Sequence, residues 1–261
     1  MAMQAKQMGT GMKIIISPAK KMVSDPDGLA WRDLPVFLEQ TRRLCARLQG
    51  MTPQELQRLW KCNDKITEQN VQRLQQMVLD RNLTPAILSY EGIQYQYMAP
   101  SVFTYEEFDY IQEHLRILSG FYGVLRPFDG VTPYRLEMQA KLPMEETRDV
   151  YGFWGDTLAR RLLEECDCLL NLASKEYSQA VSRYLPEDFP FITCIFGEER
   201  EDRVVEKATA CKMARGEMVR FMAEHQIRTP EEVRKFDRLR YRWDPSRSTD
   251  RCYVFVRPAQ E

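Results

Sequence analysis

Apolar and polar positions along this chain follow two periods, and the switches between them mark its elements. Residues 13–17 are a short apolar run, with Ile14, Ile15 and Ile16 at its centre, closed by Pro18. Such a run predicts a buried strand. Over 35–48 the apolar residues Val36, Leu38, Leu44 and Leu48 fall at helical spacing. Thr52, Pro53 and Glu55 form a capping box with proline at the first helical position, so a new helix starts there. The same Thr-x-x-Glu signal recurs at Thr104 and Thr229. Further helices are predicted over 63–79, 106–115, 149–165, 175–184 and 209–224, with a short one from Thr84 toward Tyr90. Strands are predicted over 168–172, 189–196 and 252–256, with 203–205 as a partner for the second. Residues 116–143, rich in Gly and Pro, read as irregular. Helices and strands are mixed without strict βαβ alternation and without an internal repeat. The expected fold is mixed α/β (α+β) in one domain over 12–261, with 1–11 as a disordered N-terminal extension.

Composition narrows the class. The chain has 261 residues, 44% of them hydrophobic, enough for a core that needs neither disulfides nor metal. No apolar run approaches the ~20 residues of a membrane-spanning helix. Residues 1–11 lack the apolar stretch of a signal peptide. Seven cysteines at irregular spacing predict reduced thiols in a cytoplasm, many buried as small hydrophobes. The net charge of −1 argues against a wholly basic nucleic-acid module. Residues 200–261 nevertheless carry 15 Lys+Arg against 11 Asp+Glu, which leaves room for a basic face.

Five constellations carry candidate chemistry. Ser17 and Lys20 follow the first strand, where α/β proteins place ligands, although the segment also suits an exposed turn. Within 115–138, Gly120 and Gly123 flank a turn able to offer backbone amides to a phosphate, as a helix-hairpin-helix does. Arg116, Arg126 and Arg135 accompany it; a glycine-rich structural crossover is the alternative. Tyr151, Phe153 and Trp154 suit base stacking or, better, a buried helix start. Asn171, Ser174 and Lys175 follow a second buried strand and are expected to share a crevice with Ser17 and Lys20. Lys207, Lys212, Arg215 and Arg220 lie along one helix, either as a phosphate grip or as a solvated face, and Gly216 permits close approach to that helix. No Walker loop, dinucleotide fingerprint or zinc motif is present, so neither cofactor nor metal is expected. Glu137 is the candidate general base.

The motifs around Ser17–Lys20, Asn63–Lys65, 115–129, 133–138, 151–154, 171–177 and 212–221 closely resemble the YaaA family of bacterial peroxide-stress proteins, in the same order from 12 to 257. The resemblance implies a cytoplasmic protein with a helix-hairpin-helix element and a positively charged cleft. It implies binding to double-stranded DNA with little sequence preference, distorted or damaged duplexes included, and a role in limiting oxidative damage and free intracellular iron. It carries over Ser17, Lys20, Lys65, Arg116, Arg126, Tyr134, Arg135, Glu137, Asn171, Ser174, Tyr177, Lys212, Arg215 and Arg220. Ile93 and Lys175 stand where the family tends to carry acidic residues. DNA binding is the leading expectation. The alternative is an enzyme acting on a nucleotide or flipped base, with Tyr134, Glu137, Asn171 and Ser174 around a small ligand. Direct iron chelation lacks a ligand set.

Overall fold

The structure, a computed structural model, describes residues 11–201 and 203–259. The extension expected over 1–11 falls outside these except for Gly11, whose carbonyl accepts from the Asp167 backbone N–H and whose own N–H donates to the Asp167 carboxylate. In chain order the strands are β1 (Met12–Ile16), β2 (Lys21–Met22), β3 (Thr84–Pro85), β4 (Tyr90–Glu91), β5 (Leu115–Ser119) and β6 (Gly123–Leu125). Then come β7 (Gly130–Val131), β8 (Cys168–Leu172), β9 (Phe191–Arg200), β10 (Arg203–Val205), β11 (Arg242–Trp243) and β12 (Cys252–Pro258). One large sheet has the order β11-β12-β9-β8-β1-β5-β6, with β10 also on β9. Its five inner strands, β12 through β5, run parallel, and antiparallel partners close the edges. Every residue of β1, β5 and β8 is buried, which is why β1 and β8 read as near-continuous apolar runs rather than alternating ones.

The order of connection matters most. From β1 the chain goes to β5 on one side, then crosses back to β8 on the other. The carboxyl ends of β1 and β8 are therefore a topological switch point, where the chain leaves neighbouring strands in opposite directions and opens a crevice. Helices α1 (Leu38–Gln49), α2 (Pro53–Trp60), α3 (Asp64–Gln75), α4 (Ala86–Ser89), α5 (Ile93–Met98) and α6 (Tyr105–His114) lie between β1 and β5. Two more, α7 (Val150–Trp154) and α8 (Thr157–Leu163), precede β8, and α9 (Lys175–Ser182) follows it. The last, α10 (Ala208–Glu224) and α11 (Pro230–Val233), follow β10. All three predicted capping boxes form, at Thr52, Thr104 and Thr229. The helix expected over 149–165 is two helices, broken at Gly155, whose φ is +47°.

The segment 116–143 corrects the sequence reading. It is irregular over 132–143 as expected, but its first part is not a helix-hairpin-helix: β5 and β6 make a β-hairpin inside the main sheet. The amides expected to hold a phosphate are used internally, because Ser119 Oγ accepts from the N–H groups of Phe121 and Tyr122. Gly120 and Gly123 are both buried. A Cβ on Gly120 would lie 2.7 Å from the Leu136 carbonyl, and Gly123 sits at φ +76° against Phe37 and Trp154. Trp154 is itself core, donating from Nε1 to the Gly120 carbonyl at 2.9 Å, so it is unavailable for base stacking.

All seven cysteines are free thiols, and five of them are buried. Burial pushes the Cys168 thiol up to about 11 and Cys166 up to about 12, and it also raises Cys45, Cys194, Cys211 and Cys252.

Two predictions follow from the packing. α5 lies directly on α10 at Gly216, where a Cβ would stand 2.1 Å from the Gln94 carbonyl. Gly216→Ala is expected to cost about 1–3 kcal/mol in urea unfolding by overpacking; an unchanged midpoint would show that α5 shifts freely. Asp129 is 3% exposed, and burial lifts its carboxyl to about 7, although the Arg126 amide donates to it. This pKa is above that of an unfolded aspartate, so the folded state binds the extra proton. The group therefore lowers stability above pH 7, and the cost fades as pH falls from about 7 toward 4. Asp129→Asn is expected to raise stability by on the order of 1–3 kcal/mol at pH 8 and by much less at pH 4–5. A loss at pH 8 would contradict this.

Candidate functional site

At the switch point the ends of β1 and β8 are tied together by two serines. Ser17 Oγ accepts from the Ser174 amide at 2.8 Å and donates to Ser174 Oγ at 3.2 Å. Tyr95, from α5, donates its hydroxyl to the Ser17 carbonyl at 3.0 Å. Asn171 is buried and fixes the exit of β8: its amide donates to Thr193 Oγ1, and its oxygen accepts from the Ala173 N–H. Ser174 is the N-cap residue of α9, yet its side chain accepts no bond from that helix. The free amides of the first turn of α9 therefore start at the rim of the crevice.

The crevice is a cleft of about 540 Å³, within the size range of small-molecule pockets. Its inner wall is a buried hydroxyl chain. Tyr134 Oη lies 2.7 Å from Ser119 Oγ and 2.9 Å from Tyr90 Oη, and burial pushes the Tyr134 phenol up to about 12. Tyr177 and Tyr95 also line the cleft, with phenols held far above their ordinary range by burial. Two carboxylates face it. Glu137 is ion-paired with Lys20 at 2.9 Å and with Arg135 at 3.6 Å. Glu176 accepts from the Gln139 amide at 3.3 Å; burial, reinforced by the nearby Glu137 charge, holds its carboxyl above the ordinary value.

Five cations line the cleft against three carboxylates: Lys20, Lys21, Arg135, Lys212 and Arg215 against Glu91, Glu137 and Glu176. They come from four places in the chain, namely the exit of β1, β2, the 133–138 segment and α10. Among the described residues, three buried donor nitrogens in this wall have no hydrogen-bond acceptor: Arg135 Nε, Arg215 Nε and Gln94 Nε2. Buried donors without partners are uncommon in folded proteins and call for an explanation.

The sequence-derived candidates divide into two groups. Ser17, Lys20, Tyr134, Arg135, Glu137, Ser174, Tyr177, Lys212 and Arg215 come together in this cleft. The remainder do not line it. Arg116 is 5% exposed; its Nε meets Glu165 at 2.5 Å, and its Nη1 donates to the carbonyls of Gln112, Glu113 and Leu115. It closes the end of α6 and supports a buried ion pair that also includes Arg161. Arg126 shares a smaller cavity with Arg116 and pairs with Asp33 at 3.4 Å. Arg220 pairs with Glu224 further along α10. Lys65 is exposed in the first turn of α3, and Lys175 is exposed at the start of α9.

Gln94, Tyr95 and Glu176 are among the cleft residues not singled out as site candidates in the sequence. Gln94 and Tyr95 sit on α5, a six-residue helix with no cap box or long periodic run to announce it. Glu176 is flanked by the more conspicuous Lys175 and Tyr177; its position on the second residue of α9, one turn from Ser174, was the available signal. Among the described residues no group of three or more His, Cys, Asp or Glu is placed to hold a metal ion, and no helix is long and apolar enough to cross a membrane.

Comparison with known proteins places this architecture. Residues 12–247 match the family described as peroxide stress protein YaaA. The chain is 53% identical over 246 residues to a UPF0246 protein of Lachnoclostridium phytofermentans, covering 94% of this chain and 96% of that one. It is 52% identical to a UPF0246 protein of Agathobacter rectalis, covering 94% and 99% of the two chains. It is 52% identical over 250 residues to one from Desulfitobacterium hafniense, covering 96% and 100%. With a family match across most of the chain and relatives aligned nearly end to end, this protein belongs to the YaaA peroxide stress protein family.

Proposed function

We propose that the cleft between β1 and β8 grips the phosphates of DNA with little sequence preference, and that this binding serves survival of peroxide stress. The carrying observation is the set of donors without acceptors. Arg135 and Arg215 present buried Nε nitrogens with no partner in the same wall that carries Lys20, Lys21 and Lys212. Phosphate oxygens are acceptors only, and guanidinium donors recognise them well. A cleft that contacts mainly backbone phosphates reads little sequence. In the cell, occupancy of cytoplasmic DNA by this protein would limit oxidative damage, alongside the family's expected effect on free iron.

The catalytic alternative built on Glu137 is less well supported. Glu137 is already engaged by two cations, Lys20 at 2.9 Å and Arg135 at 3.6 Å. Its first role is to hold those two cations in place across the cleft.

Fluorescence anisotropy with duplex DNA at several salt concentrations tests the proposal. Binding is expected to weaken linearly in log–log form with salt, and Lys212→Ala/Arg215→Ala to lower that slope by about two units. Arg126→Ala, outside the cleft, is the control and is expected to leave the slope within about half a unit. Binding that is insensitive to salt, or lost equally in Arg126→Ala, would overturn it.

A further inference from the structure

The cleft contains groups that a phosphate grip does not use. We infer that its inner end holds a single nucleobase, so that the occupant is one nucleotide unit with its phosphate on Lys212 and Arg215 and its base against Gln94, Glu137 and Glu176. This rests on the phosphate-gripping reading above and deepens it.

Gln94 is the main observation. It is 7% exposed, it lines the cleft, and among the described residues its buried side-chain nitrogen Nε2 makes no hydrogen bond. A buried amide nitrogen without an acceptor costs free energy comparable to a lost hydrogen bond, so the position is explained if a ligand completes it. A phosphate offers only acceptors and would use half of the amide. A base edge that places N–H beside C=O, or an amino group beside a ring nitrogen, uses both halves, as glutamine does in reading base edges.

The position of Gln94 is fixed by the fold. It is the second residue of α5, after Gly92, and α5 is held on α10 through the close approach at Gly216. Tyr95, the next residue, is anchored to the Ser17 carbonyl. The amide thus stands on a short helix clamped at both sides and does not need to be ordered on binding.

The carboxylates add the second element. Phosphates repel carboxylates, yet Glu137 and Glu176 both line this cleft. Base edges with exocyclic amino groups and ring N–H donors are suited to carboxylate acceptors. Glu137 is held by Lys20 and Arg135, and Glu176 by the Gln139 amide, so both present fixed oxygens. Lys212 and Arg215 stand on α10, whereas Glu137 and Glu176 belong to the 133–138 segment and α9. The volume of about 540 Å³ matches a ligand of nucleotide size rather than a bare phosphate.

The test is calorimetric titration with GMP, AMP, UMP and ribose 5-phosphate, against wild type, Gln94→Leu and Glu176→Gln, with urea unfolding to verify that each variant is folded. At least one of the three nucleotides is expected to bind ten-fold or more tightly than ribose 5-phosphate. That gain is expected to disappear in Gln94→Leu, while ribose 5-phosphate binding stays unchanged. Glu176→Gln is expected to alter the order of preference among the bases and to leave ribose 5-phosphate unaffected. Equal binding of nucleotides and ribose 5-phosphate would overturn the base subsite and leave the phosphate grip standing. A nucleotide preference that survives in Gln94→Leu would overturn it as well. Duplex binding without any monomer binding would also remove the base subsite, and absence of both would remove the phosphate grip with it.

Discussion

The site depends on one constraint: β1 must leave the sheet in one direction and its neighbour β8 in the other. Parallel strands lie under 5 Å apart, so chains that diverge from their ends leave polar backbone groups facing a gap. Ser17 and Ser174 resolve this with a pair of hydrogen bonds across the gap, one of them to a backbone amide. The crevice that remains is lined by residues of α5 and α10 and by Tyr134, whose hydroxyl is backed by those of Ser119 and Tyr90. Neither serine side chain makes a helix-capping bond or serves the hydrophobic core. Their position is set by the sheet, and the positions of Lys20 and Glu176 are set in turn by the loop that leaves β1 and the helix that follows β8.

Around this gap the fold sorts its cations by burial. Arg116 is sealed into the sheet, where three carbonyls and Glu165 satisfy it. A guanidinium committed in this way is part of the framework, and removing it would strand Glu165 and the end of α6. Arg135 is intermediate, touching Glu137 and the Trp60 carbonyl while keeping Nε unpaired. Lys212 and Arg215 stand on α10 without an ion pair among the described residues. A count of positive residues could not separate these three conditions, because they differ only in what each head group touches.

Much of the architecture was legible in the sequence because it rests on local signals. The runs at 13–17 and 168–172 are apolar on both faces, which suits strands with neighbours on either side. Thr52, Thr104 and Thr229 announce helices through a reciprocal bond that needs only four residues. Of Asn171, Ser174 and Lys175, all expected to share a crevice with Ser17 and Lys20, only Ser174 lines it. What failed did so for tertiary reasons. Arg116 in the middle of β5 and the glycines after it disguise a strand, since the partner that neutralises Arg116 is 49 residues away. Gly120 is glycine because of the Leu136 carbonyl, a contact no local window contains. Gln94 stayed hidden because its meaning lies in the absence of a partner.

The thiols bear on how the molecule fares in its own working conditions. Hydrogen peroxide attacks sulfur chiefly as thiolate, and attack proceeds through sulfenic acid toward irreversible products. Burial keeps Cys45, Cys166, Cys168, Cys194, Cys211 and Cys252 protonated well above neutral pH. The same apolar packing that builds the sheet therefore gives these six side chains chemical durability. A protein of the peroxide stress family thus keeps six of its seven thiols in the form the oxidant attacks least.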